Sequence, residues 1–173
     1  LLSVGRLTAI KNPVYQLRLV RALETEGTSA HLVVAGGGDM LGLCRKYASE
    51  REMKNVHFLG PLPYDKLPEL YGSADLFLST SIYEGLSLSL LEAMSSALPC
   101  IVSDIPGTSI VRTAQCGLHI PCRDPAQDAS LVRGLIERGT SSEAANARRY
   151  AVENFDWRKI SKQYMEEFRK VSR

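Results

Sequence analysis

Short, uninterrupted apolar runs alternate with longer amphipathic stretches along the whole chain, and this alternation constrains the fold more than any other feature. Leu1–Val4, His31–Ala35, Val56–Leu59, Asp75–Ser79, Pro99–Ser103 and Gly117–Ile120 read as strands. Pro13–Glu26, Asp39–Arg51, Pro63–Gly72 and Gly85–Ala97 read as the helices between them, and in the first of these Val14, Leu17, Val20 and Leu23 recur at helical spacing. Helices over Asp124–Arg138, Ser142–Glu153 and Trp157–Val171 follow the last strand. Strands that are apolar throughout must be covered on both faces, which implies a parallel sheet between two helical layers. Right-handed crossovers then make an α/β fold, a doubly wound, Rossmann-like parallel sheet. In such a sheet ligands sit at the carboxyl ends of the strands, and every candidate residue below follows a strand at that edge.

At 173 residues the chain fits one domain. Hydrophobic residues at 45% and charged residues at 23% are ordinary for a soluble globular core. A net charge of +2 is too small to suggest a nucleic-acid partner. No apolar run approaches the ~20 residues that would span a bilayer. The start at Leu1, inside a strand-like run and without Met, reads as a domain cut from a longer polypeptide, and it is too short and uncharged for a signal peptide. Cys44, Cys100, Cys116 and Cys122 form no CxxC pair, so they read as reduced thiols in a cytoplasmic protein. His31, His57 and His119 are separated and lack clustered carboxylates, so no metal site and no hydrolase triad is expected.

Three constellations carry chemistry. After the first strand, Gly5 frees a turn, and Arg6 and Lys11 can converge on one anion beyond the sheet edge; two solvated cations are the competing reading. After the Asp75–Ser79 strand, a turn carries Glu84 and Gly85, and a helix begins near Leu86 or Ser87. Free amides at a helix start, with the positive end of its dipole, make a phosphate seat. Glu92, about one and a half turns into that helix, could then reach a ribose diol. Ser89, Glu92 and Ser96 form a polar stripe beside the apolar Leu90, Leu91 and Met94. The third constellation, Gly36-Gly37-Gly38, is neither a dinucleotide fingerprint, since Leu41 stands at the third glycine, nor a Walker A loop. It reads as a tight strand-to-helix turn whose glycines let the backbone approach a ligand. Asp104 and Gly107, after the Pro99–Ser103 strand, could line the same pocket.

These residues, in this order, resemble the C-terminal domain of the retaining glycosyltransferases of GT-B fold, the group 1 or family 4 type. The likeness runs through Val4-Gly5-Arg6-Leu7 with Lys11, Val34 to Gly38, Val56 to Gly60 and Ala74 to Leu78. It continues through Glu84 to Glu92 and Pro99 to Asp104, and ends at Phe155-Asp156-Trp157. The resemblance implies that Arg6 and Lys11 hold a donor diphosphate and that Glu84 contacts hydroxyls of the transferred sugar, these three being the catalytic set. It implies that Glu92 holds the ribose, that Leu86 and Ser87 offer backbone amides beside Gly5 and Gly85, and that the base lies near Leu62. The donor would be a UDP- or GDP-sugar used without metal or other cofactor.

By the same resemblance, residues 1–156 are the nucleotide-sugar domain, and 157–173 form a helix that crosses to an N-terminal acceptor domain not in this chain. That domain would bind the acceptor glycan or lipid. The whole enzyme would be cytoplasmic or peripheral at a membrane, in glycan, lipopolysaccharide or glycolipid synthesis. A nucleotide-sugar 2-epimerase and a non-catalytic nucleotide-binding module are the alternative functions. The chain departs from the family at Thr80, where proline is usual, and at Ser87 and Ala97, where glycine is usual. Thr108-Ser109-Ile110 also lacks the glycine and glutamate that often follow Gly107.

Overall fold

The computed structural model describes residues 1–171; Ser172 and Arg173, the end of the expected 157–173 segment, lie outside the described residues. Six strands form one parallel sheet: β1 (Leu2–Val4), β2 (Leu32–Ala35), β3 (Val56–Gly60), β4 (Phe77–Ser79), β5 (Cys100–Ser103) and β6 (Gly117–Ile120). Their spatial order is β3-β2-β1-β4-β5-β6, so the winding reverses between β1 and β4. That reversal opens a crevice at the carboxyl edge where a ligand can enter.

Because successive strand residues point to opposite faces, each strand feeds two cores. Leu32, Val34, Leu78, Ile101 and Ile120 face one side. There they meet α1 (Pro13–Thr25), α2 (Leu41–Glu50) and α6 (Pro125–Glu137). Leu2, Phe77, Cys100 and Val102 face the other. There they meet α3 (Leu67–Gly72), α4 (Leu88–Ser95), α5 (Ser109–Ala114) and α7 (Ser141–Phe155). Full burial of each large aliphatic side chain contributes about 1.5–3 kcal/mol, so the two layers hold the sheet rather than any single contact. Local signals set the helix starts. Pro13 and Pro125 occupy first-turn positions, and the Asp124 carboxylate caps α6 by accepting from the Ala126 amide at 3.0 Å.

α8 (Trp157–Val171) follows Asp156 and buries none of its residues. Among the described residues no helix is long and apolar enough to cross a membrane.

Two expectations need correction. α5 was not anticipated: its six residues include Ile110, Val111 and Thr113, whose β-branching favours a strand, and packing of Val111 and Ala114 overrides that preference. The helix expected over Gly85–Ala97 is shorter, spanning Leu88–Ser95, because Ser87 before it is extended, with φ of −81° and ψ of 116°.

Candidate functional site

The site grows from three strand exits. At the first, Gly5 leaves β1 with φ of +144°, a conformation open to glycine, and Arg6 stands exposed beyond it. The turn after β2 lies against this exit. Gly5 N donates to Ala35 O at 3.0 Å, Leu7 N to Gly37 O at 2.9 Å and Met40 N to Leu7 O at 3.0 Å. A Cβ on Gly36 would sit 1.9 Å from Gly5 O, and one on Gly38 2.4 Å from Leu7 O. At Gly36 and Gly38 the triple glycine therefore brings backbone against backbone, in a tight strand-to-helix turn. Its effect is to fix the Arg6 loop, which continues through a 3-10 turn over Ala9–Lys11 into α1.

The second exit, after β4, is stitched to that turn. The Thr80 hydroxyl donates to Asn12 O at 3.0 Å and to Lys11 O at 3.2 Å, and Ile82 N donates to Ile10 O at 2.7 Å. The Thr80 hydroxyl is thus a tie between the two loops that a proline there could not supply. The same strap brings Glu84 onto Lys11. The Lys11 ammonium pairs with Glu84 Oε1, and the Ser81 hydroxyl donates to that oxygen at 2.8 Å. The two side chains are 32% and 11% exposed, so the carboxylate is the more enclosed partner.

The third exit, after β5, backs the strap. Ser103 Oγ donates to Ser81 O at 2.5 Å, and Thr108 Oγ1 donates to Ser103 O at 2.7 Å. His119 Nε2 lies 3.1 Å from Thr108 O, so that nitrogen carries the proton. Burial lowers the His119 pKa against the opposing pull of that carbonyl, which favours the neutral ring. Gly107 packs beneath Glu84 and Gly85. Asp104 points outward to Arg112, at 3.1 Å.

Between the first two exits a cavity is lined by Gly5, Arg6, Lys11, Ser81 and Ser89. Gly85 and Leu86 are exposed just beyond Glu84, and Ser87 is buried at the cap of α4. Ser87 makes no side-chain bond to the helix amides; its hydroxyl meets that of Ser89 at 3.0 Å. The amides that begin α4 thus have no side-chain cap, the condition for seating an anion.

Two expected residues stand apart. Glu92 lines a neighbouring cavity with Tyr64, Leu67, Tyr71 and Arg148, where the Tyr71 hydroxyl donates to its Oε2 at 2.8 Å and to Ser89 O at 3.2 Å. Burial, then the Glu92 hydrogen bond, pushes the Tyr71 phenol far up, so it remains a donor. Leu62 is half-buried in the loop after β3, and that strand's end meets the glycine turn where Gly36 N donates to Gly60 O at 2.8 Å. Tyr71, Thr80, Ser81, Ser103 and Thr108 escaped the sequence reading as site residues. Ser103, a hydroxyl closing an otherwise apolar strand, was the one visible signal among them. Among the described residues, no group of three or more His, Cys, Asp or Glu is placed to hold a metal ion.

Comparison with known proteins bears on the family and the fold. The family model described as glycosyl transferases group 1 matches residues 1–154. The chain is 32% identical over 167 residues to an uncharacterised glycosyltransferase of Methanocaldococcus jannaschii, covering 94% of this chain and 43% of that protein. It is 29% identical over 158 residues to the UDP-Gal:alpha-D-GlcNAc-diphosphoundecaprenol alpha-1,3-galactosyltransferase of Escherichia coli, covering 88% of this chain and 41% of that protein. The crystal structure of Anabaena HepE in complex with UDP superposes with a TM-score of 0.83 at 22% identity, over 98% of this chain and 48% of that one. That likeness carries the fold, one half of a GT-B architecture. The chain spans less than half the length of these relatives.

Proposed function

Because the chain belongs to the glycosyl transferases group 1 family, we propose that it is the donor-binding half of an enzyme moving a sugar from a UDP- or GDP-sugar to an acceptor hydroxyl. One observation carries this reading. Arg6, Lys11 and the uncapped start of α4 converge at the β1–β4 reversal, where a parallel sheet takes its ligands. A departing diphosphate gains negative charge as the glycosidic bond breaks, and two cations with oriented amides stabilise that charge without a metal. The acceptor hydroxyl then attacks on the face from which the phosphate leaves. Relatives whose names include a UDP-sugar donor or a bound UDP support the choice of nucleotide.

Within this reading Glu84 faces the sugar, since it sits on the strap beside the diphosphate cations. Glu92, oriented by Tyr71, receives the ribose diol, and Leu62 flanks the base. Gly5, Gly85, Leu86 and Ser87 supply backbone around the phosphates. The acceptor glycan or lipid belongs to a second domain, and α8 reaches towards it. Trp157, Tyr164 and Met165 are exposed at 75%, 64% and 54% on that helix, an apolar surface suited to such a contact. The whole enzyme would work in the cytoplasm, against a membrane when its acceptor is a lipid.

The test is calorimetric titration of the chain with UDP, GDP, ADP and CDP. Saturable binding of at least one supports the reading, and binding of none rejects it.

A further inference from the structure

We propose that the Lys11–Glu84 pair makes the donor site favour intact nucleotide-sugar over the spent nucleoside diphosphate; the inference rests on the diphosphate role of Lys11 given above. Glu84 is held as an obstacle as well as a ligand. Its Oε1 takes both the Lys11 ammonium and the Ser81 hydroxyl, and the carboxylate is only 11% exposed. The surrounding backbone restrains it further. Gly107 packs beneath its carbonyl, and Ser103 holds the Ser81 carbonyl at 2.5 Å. The strap therefore cannot easily swing Glu84 into solvent when an anion arrives.

A terminal phosphate that takes Lys11 must leave this carboxylate close by, with its counter-ion now shared. Two like charges in a half-buried setting repel, and the cost falls on the ligand that brings the charge. A free nucleoside diphosphate carries its greatest charge on that terminal phosphate. In a nucleotide-sugar the same phosphate is esterified, so its charge is lower, and the sugar presents hydroxyl donors. Those hydroxyls can satisfy the carboxylate oxygen that Lys11 gives up. Glu84 thus opposes the product and welcomes the donor, which speeds release of the nucleotide once the sugar has left.

The experiment is calorimetry with UDP, GDP, UDP-glucose and GDP-mannose on the wild-type chain, Glu84→Gln, Lys11→Ala and the double variant. Glu84→Gln should tighten the nucleoside diphosphate by about two- to fivefold, within the range measured for screened charge pairs, while weakening the sugar-bearing form. In the Lys11→Ala background the tightening should be at least as large, because no cation then screens the carboxylate from the phosphate. Glu84→Asp, which keeps the charge but retracts it from Lys11, carries the test if Glu84→Gln does not fold, and should tighten the diphosphate in the same direction. Weakened nucleotide binding in Lys11→Ala together with unchanged or weaker binding in the Glu84 variants overturns this proposal and leaves the donor-site reading intact. Unchanged binding in Lys11→Ala removes both.

Discussion

Gly107 lies directly under the Glu84 turn: a Cβ at position 107 would fall 2.1 Å from Glu84 O and 2.7 Å from Gly85 O. The obstruction is backbone, which cannot rotate away. Gly107→Ala should therefore lift the strap that carries Glu84, at a cost of about 1–3 kcal/mol from overpacking. Thermal denaturation should register this as a lower Tm. Binding of a sugar-bearing donor should fall further than binding of the bare nucleoside.

Two substitutions at positive φ should act with opposite signs. Gly36 has φ of +144° and would place a Cβ 1.9 Å from Gly5 O, so Gly36→Ala combines strain with collision. It should destabilise by more than about 2 kcal/mol and loosen the Arg6 loop. Ala97, at φ +59°, bears a left-handed conformation that an L side chain rarely adopts. Ala97→Gly should raise stability by roughly 0.5–1 kcal/mol, since the strain it relieves exceeds the entropy that glycine adds to the unfolded chain. Denaturant midpoints of the two variants give the comparison.

Tyr71 and Glu92 should behave as a unit. Removing the Tyr71 hydroxyl leaves Glu92 Oε2 without the donor it has at 2.8 Å. Tyr71→Phe should cost roughly 0.5–1.5 kcal/mol of stability and weaken nucleoside diphosphate binding. Glu92→Gln should weaken the same ligand, and the double variant should lose less than the sum of the singles. Additive losses would separate the pair and leave Tyr71 a purely structural residue.

A stability test away from the site concerns Glu143. Burial pushes its carboxyl up, but the Ser142 hydroxyl, its own backbone amide and Arg138 outweigh that and hold the pKa below the ordinary carboxylate value. A depressed folded pKa gives stability that is complete above the unfolded value and is lost as pH falls through the folded one. Glu143→Gln should therefore be less stable than wild type at pH 7. The gap should narrow only below about pH 4, near the ordinary glutamate range. A gap independent of pH would count against a charged Glu143.

How much of this was legible beforehand follows from where the information sits. The strands could be read because burial on both faces demands apolar residues at every position, as in Cys100-Ile101-Val102. α5 could not, because Ile110, Val111 and Thr113 favour extended chain until the second core claims Val111 and Ala114. The meeting of Arg6 and Lys11 at one cavity followed from topology, since both come off the end of β1. Their stitching to β4 did not, because Thr80 reaches Lys11 O and Asn12 O across 69 and 68 residues. Nothing in local spacing marks so distant a hydrogen bond. The Gly36 and Gly38 turn was recognisable as tight, yet what it touches, the carbonyls of Gly5 and Leu7, is a tertiary fact.

The most direct test of the donor-site account is the affinity of Lys11→Ala for a nucleoside diphosphate, measured by calorimetry beside the wild type. A phosphate about 4 Å from an ammonium gains roughly 4 kcal/mol of Coulomb energy at an effective dielectric of 20, whereas a helix terminus supplies about 0.3–1 kcal/mol. The cation should dominate even though Glu84 competes for it. Loss of about 1.5–3 kcal/mol, near ten- to 150-fold in Kd, in a variant that still unfolds cooperatively is the result expected. A wild-type chain that binds UDP or GDP with an affinity Lys11→Ala retains in full would contradict the account.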